Sequence, residues 1–165
     1  MDPVRVNATI DKPREEVFDY LADIANHAEF MDPLFKDWRL TRVESYGNGA
    51  GARFRSRARL DRFGWWELNF IAVEPPRRIV AVGRGGKYNR TKTYAEWVLE
   101  PASGGGTRVD FMYETEPALA SDKLMEVVSG RRGWFKRSSR KAVKRLRRIL
   151  EEGHGRGRRT TVAGL

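Results

Sequence analysis

Few side chains in this sequence carry reactive chemistry, and they are scattered. There are two histidines, His27 in "ANHAEF" and His154 in the glycine- and arginine-rich C-terminal stretch, and no cysteine. Thiol catalysis, disulfides and cysteine-ligated metal sites are therefore excluded. Two distant histidines do not assemble a zinc site, so no metal is expected. No nucleophile elbow, Walker A or dinucleotide fingerprint occurs, and "GRGG" (83–86) is too short to count as one. No cofactor is expected, and no residue is assigned a catalytic role. What remains is a set of hydroxyls, a set of arginines and His27, whose imidazole could move a proton near neutral pH.

The hydroxyls and the most conspicuous arginines lie on strands. In "ARFRSRARL" (52–60) every second residue from Arg53 to Arg59 is arginine, and Ala52, Phe54, Ser56, Ala58 and Leu60 alternate with them. A period of two is the strand period, with one face buried and one wet. The arginines are expected on the solvent side, with Glu67 and Asp110 on other strands as possible cross-strand partners. "WWELNFIAV" (65–73) puts Trp66, Leu68 and Phe70 on one face, and "YNRTKTYAEWVLE" (88–100) groups Thr93, Ala95, Trp97 and Leu99. "TRVDFMYETE" (107–116) places Val109, Phe111 and Tyr113 together. Strands are also read at 4–10, 35–46 and "IVAVGRG" (79–85), with turns at "GNGAG", "EPPRR" and "PASGGG".

Helical spacing occurs at the two ends of this strand-rich region. "PREEVFDYLADI" opens on Pro13, carries acidic residues in its first turn and repeats apolar residues at helical spacing. A second short helix, "IANHAEF", follows it. After Pro117 the period changes: Leu124, Val128, Phe135, Ala142, Val143, Leu146, Ile149 and Leu150 form one stripe. One helix over about 119–152 would be about 50 Å long, interrupted at Gly130 and Gly133. If it is continuous, Arg131 and Arg132 point at the sheet; if the glycines break its register, both are wet.

Composition bounds the rest. A chain of 165 residues with 40% hydrophobic residues supports one globular domain, assigned to 1–152, and residues 153–165 read as a basic, disordered tail. The N-terminus lacks an apolar targeting core and no run is long enough to span a bilayer, so a cytoplasmic protein is expected. Of the net charge of +10, residues 131–159 carry thirteen Lys or Arg against two Glu, and the remainder of the chain is nearly balanced. An anionic partner, membrane or nucleic acid, is therefore weighed for 131–159 alone. A purely solvated charged face fits the same residues.

The order strand, two short helices, six strands and a long C-terminal helix resembles the START-like superfamily, also called SRPBCC or Bet v 1-like, and within it the polyketide cyclase/dehydrase-like proteins. The residues carrying the resemblance are "ATIDKPREEVFDYLADIANHAEFMDP", "VEPPRRIV" and "EWVLEPASGGGTRVDF", within about residues 4–151. The resemblance implies an α+β helix-grip fold: a curved seven-stranded antiparallel sheet around the long helix, enclosing a mostly apolar cavity. Members bind lipids, sterols, polyketides or other hydrophobic molecules, and some cyclise a polyketide chain. The inward faces then give the expected ligand contacts: Phe54, Ser56, Trp66, Leu68, Phe70, Thr93, Trp97, Phe111, Tyr113, Leu124 and Val128, with Arg132 at the mouth holding a ligand carboxylate or enolate. His27 would lie near the cavity entrance, where a surface position is the default for a lone histidine.

Three functions remain open from the sequence. The first is binding of an aromatic, polycyclic or lipid-like small molecule in the cavity. The second is a cyclase or dehydratase in which the pocket holds the chain in a reactive shape. The third is peripheral binding of anionic membrane or nucleic acid through 131–159. The aromatic positions also fit a solid core with no ligand at all.

Overall fold

A computed structural model describes residues 1–58, 64–153 and 160–162. Strand β1 (Val4–Ile10) is followed by α1 (Arg14–Ala22), a 3-10 turn (Ile24–Asn26) and the short α2 (His27–Phe30). Six strands come next: β2 (Phe35–Leu40), β3 (Gly51–Ser56), β4 (Trp65–Glu74), β5 (Arg78–Gly85), β6 (Thr91–Pro101) and β7 (Thr107–Pro117). Helices α3 (Ala120–Val128) and α4 (Arg131–Glu152) follow, and a two-residue strand, β8 (Thr161–Val162), closes the described chain. The sheet order is β1-β7-β6-β5-β4-β3-β2-β8. The first seven strands pair antiparallel, and β8 runs parallel to β2. This is the helix-grip α+β fold expected from the sequence, with β8 as an addition at the edge.

Alternation builds the sheet's two faces. In β6, Thr91, Thr93, Ala95, Trp97 and Leu99 are buried while Lys92, Tyr94, Glu96 and Val98 are more exposed. β7 repeats the pattern one strand over, so Trp97 lies opposite Phe111 and Ala95 opposite Tyr113. Helix α4 lies against the concave face and packs along β1. Phe135, Ala142, Val143, Leu146 and Ile149 are buried on its inner side. Gly153 ends it in the left-handed conformation, its N–H donating to the Ile149 carbonyl at 3.0 Å, the usual way to satisfy a last carbonyl.

Several expected boundaries move. β2 ends at Leu40, so 41–46 are not strand apart from an isolated bridge between Tyr46 and Asp23. β3 ends at Ser56, and Arg59, Leu60, His154 and most of the tail lie outside the described residues. Thr161 and Val162, read as tail, pair with Arg39 and Leu40, and the Thr160 hydroxyl donates to the Ala25 carbonyl at 2.6 Å. The expected single helix over 119–152 is two helices. Gly130, at φ +63°, closes α3 by donating to the Val127 carbonyl and starts α4 in a new direction. Gly133 sits within α4 without breaking it.

Candidate functional site

The aromatic side chains of the concave face close on one another. Trp97 stacks on Phe111 with ring centres 4.1 Å apart, Trp38 on Phe54 at 4.5 Å, and Tyr113 on Phe135 of α4 at 4.3 Å. Offset stacking of this kind adds to the gain from burial alone. At the centre is His27. Its ring lies 5.0 Å from Phe30, 5.6 Å from Phe70, 5.9 Å from Trp97 and 6.0 Å from Trp38.

His27 is therefore not a surface histidine; it is only 4% exposed. Its Nε2 lies 2.8 Å from the Leu21 carbonyl oxygen. A carbonyl only accepts, so Nε2 carries the proton and Nδ1 keeps its lone pair. Burial among rings disfavours the charged imidazolium and lowers the pKa to about 4, outweighing the Leu21 hydrogen bond and the negative charge of Asp23. At neutral pH this is an uncharged polar group inside an apolar shell.

Between the rings remains a cavity of about 10 Å³, room for about one water molecule. Six of the residues lining it are inward-facing in the sequence pattern: Leu68, Phe70, Ala95, Trp97, Phe111 and Tyr113. The other six are Ile24, His27, Met31, Phe35, Trp38 and Ala81. One sequence signal identifies part of this second set, and a local irregularity in β2 accounts for two more of its members. Ile24, His27, Ala28 and Met31 fall at helical spacing, which makes His27 part of an apolar stripe. Phe35 and Trp38, three residues apart, would face opposite sides of a regular strand, but a register shift between Lys36 and Arg39, with Asp37 at φ +55°, brings both inward.

Other expected site residues go elsewhere. Phe54, Trp66 and Thr93 are buried but do not line the residual cavity, and Thr93 instead borders a groove on the other side of the sheet. Ser56 is half-buried, and its hydroxyl accepts from the Ala58 N–H at 3.1 Å. Leu124 and Val128 do not face the interior: they are 62% and 74% exposed, because the break at Gly130 turns α3 away from the stripe of α4. Arg132 is exposed as well. Its neighbour Arg131 is the one that turns inward, its guanidinium 5.2 Å from the Trp66 ring centre. Trp66 in turn lies flat over Gly85, where an added Cβ would come within 2.3 Å of the indole.

Among the described residues two buried hydroxyls have no hydrogen-bond partner, Thr93 Oγ1 on the sheet and Ser139 Oγ on the inner side of α4. Unpaired buried hydroxyls are uncommon and call for a partner. Among the described residues no group of three His, Asp or Glu could hold a metal ion.

The outer face of the sheet holds the arginines. Arg39, Arg53 and Arg55 place their guanidinium groups 5.7, 5.0 and 5.8 Å from the centre of the Trp65 ring. Arg57 pairs with Asp32 at 2.8 Å and Arg55 with Asp37 at 3.8 Å. The expected partners differ. Glu67 is opposite Arg53 in register but accepts from Asn69, and Asp110 is held by Arg108 on its own strand. A groove of about 740 Å³ also lies on this face, lined by Glu67, Arg84, Lys92, Glu114 and Glu116 among others. It is larger than the inner cavity, includes Val82, Thr93 and Tyr94 in its lining, and is open to solvent, so it lacks the enclosure a hydrophobic ligand needs.

A curved antiparallel sheet gripping one long helix over an aromatic interior defines a helix-grip protein of the START-like superfamily. Residues 1–151 match the family described as polyketide cyclase/dehydrase and lipid transport, and the chain belongs to it. Solved structures share the fold at low identity. A Thermus thermophilus protein, TTHA0849, is 18% identical over 90% of this chain and 96% of that one, with a TM-score of 0.67. The KanY protein is 12% identical, with 90% and 96% covered and a TM-score of 0.70. Ara h 8.0201 is 14% identical, with 90% and 93% covered and a TM-score of 0.57. No curated protein matches the chain. Among the described residues no helix is long and apolar enough to cross a membrane.

Proposed function

We propose that this protein binds a ring-bearing hydrophobic small molecule between the concave sheet face and α4. The observation that carries the reading is the aromatic shell closed around the neutral imidazole of His27. Flat rings supply stacking surfaces, and Nδ1 of His27 offers one acceptor for a ligand hydroxyl. The unpartnered hydroxyls of Thr93 on β6 and Ser139 on α4 are further polar points for a ligand oxygen. The remaining space of about 10 Å³ holds no such ligand, so binding must shift side chains or a helix. Helix α3 buries only Glu126 but is tied down by it and by Asp122, and none of its residues lines the cavity, so the space is opened by the lining side chains themselves.

Catalysis is the second reading, and the family description favours keeping it. The chemistry of His27 weighs against its serving as a base. A group with a pKa of about 4 is a weak proton acceptor at neutral pH. A cyclase acting here would work chiefly by holding its substrate in a reactive conformation.

The test is a titration with an anilinonaphthalene sulfonate probe, followed by amide NMR. Binding in the interior shifts the amides of Ala81 and Ala95, which line the cavity, in a saturable one-to-one manner. Shifts confined to α3 or to the outer face of the sheet would contradict the reading.

A further inference from the structure

Helix α3 is amphipathic in the reverse of the usual sense. Its acidic stripe faces the protein. Asp122 takes a two-pronged ion pair from Arg90, at 2.6 and 2.8 Å, and buried Glu126 accepts from the Thr115 hydroxyl at 2.8 Å and from the Met1 amino group at 2.6 Å. On the opposite side Ala120, Leu124 and Val128 form a ridge at i, i+4 and i+8. Leu119, Met125 and Val127 widen it at 46, 58 and 71% exposure. An apolar surface of this extent marks an interaction site.

Exposed basic and aromatic side chains lie on the turn that braces the other side of α3 and on the helices themselves. Arg90, which holds Asp122, belongs with Lys87 and Tyr88 to the turn before β6, and Tyr88 is 82% exposed. Tyr88 is held at φ +58°, with the Lys87 ammonium 5.2 Å from its ring centre. Lys123 on α3 and Arg132 just beyond it are exposed too. Aliphatic side chains that can insert, together with an exposed aromatic and cations on the adjoining surface, are the components of a helix lying on an anionic bilayer.

We propose that the α3 ridge, aided by the exposed Lys123 and Arg132 and by Lys87 and Tyr88 of the adjoining turn, docks this protein on anionic lipid bilayers. The alternatives fit less well. A second copy meeting the ridge by two-fold symmetry would bring like-charged adjoining surfaces together. A nucleic acid would use the cations and leave the ridge in water. Folding of the ridge onto its own core would break the Asp122 and Glu126 contacts. The proposal does not depend on what fills the cavity.

The test is flotation of the full chain with phosphatidylcholine vesicles, with and without phosphatidylglycerol, at about 0.1 M and about 0.5 M salt. Binding is expected to the anionic vesicles only and to weaken at high salt. The double variant Leu124→Glu, Val128→Glu lies on an exposed surface and keeps the fold, checked by circular dichroism. It is expected to reduce partitioning by about tenfold or more. Val43→Glu, an equally exposed apolar position away from α3, leaves partitioning unchanged. No binding to anionic vesicles, full binding by the α3 double variant, or equal loss with Val43→Glu overturns the proposal. So does light scattering that finds a dimer which the double variant dissolves.

Discussion

His27 sets an expected pH dependence. Its pKa is about 4 in the folded chain and about 6.5 when unfolded. Between those values the unfolded chain binds a proton that the folded chain refuses. The folded state therefore loses stability as pH falls from about 6.5 to about 4, by roughly 3 kcal/mol in all, and gains nothing further from His27 above that window. Denaturant melts of the wild type and of His27→Phe across this range check it; the variant's curve is expected to be flatter. A second residue-scale expectation concerns Gly83, where an added Cβ would stand 1.7 Å from the Glu67 carbonyl oxygen. Backbone cannot yield as a side chain can, so Gly83→Ala should cost about 2 kcal/mol or more, read from the same melts. At this scale the sequence was partly legible. Alternation placed Trp97, Phe111 and Tyr113 inward, whereas the burial of His27 lay in a short helical stripe that its polar side chain disguised.

At the level of elements, the break at Gly130 separates α3 from α4 and decides what α3 exposes. A continuous 3.6-residue period carries Leu124 and Val128 onto the stripe of α4, but one left-handed residue reorients α3 entirely. Periodicity records which residues share a face within a helix and is blind to a change of axis between two helices. The bulge in β2 has the same effect on a strand, bringing Phe35 and Trp38 to one side. Gly130→Ala places a Cβ in the left-handed region and should cost about 1 kcal/mol, measured by thermal or denaturant unfolding. Asp122→Asn removes the charge that Arg90 holds. It should speed amide exchange along α3 while leaving β5–β7 protected, which hydrogen-exchange mass spectrometry reads directly. The hydrogen bond from Arg90 lowers the Asp122 pKa, so this anchor contributes fully above the ordinary carboxylate value and is lost only as pH falls through the lower folded-state value.

Over the whole molecule, the order of strands and helices was the most legible property, because each strand carries its own alternation and each turn its own glycines and prolines. How far the interior is filled was not legible, since no pattern of residue types states whether facing rings meet or leave a gap. Occupancy of this interior by a ring-bearing hydrophobic molecule is read out by native mass spectrometry of the purified chain. The spectra are taken as isolated and after incubation with a panel of polycyclic aromatics and lipids, with any bound compound extracted and identified. The expected result is a one-to-one complex with a hydrophobic, ring-bearing compound that survives at high salt. A bare protein mass under every condition, with no adduct from any member of the panel, would contradict it and leave the aromatic shell as packed core.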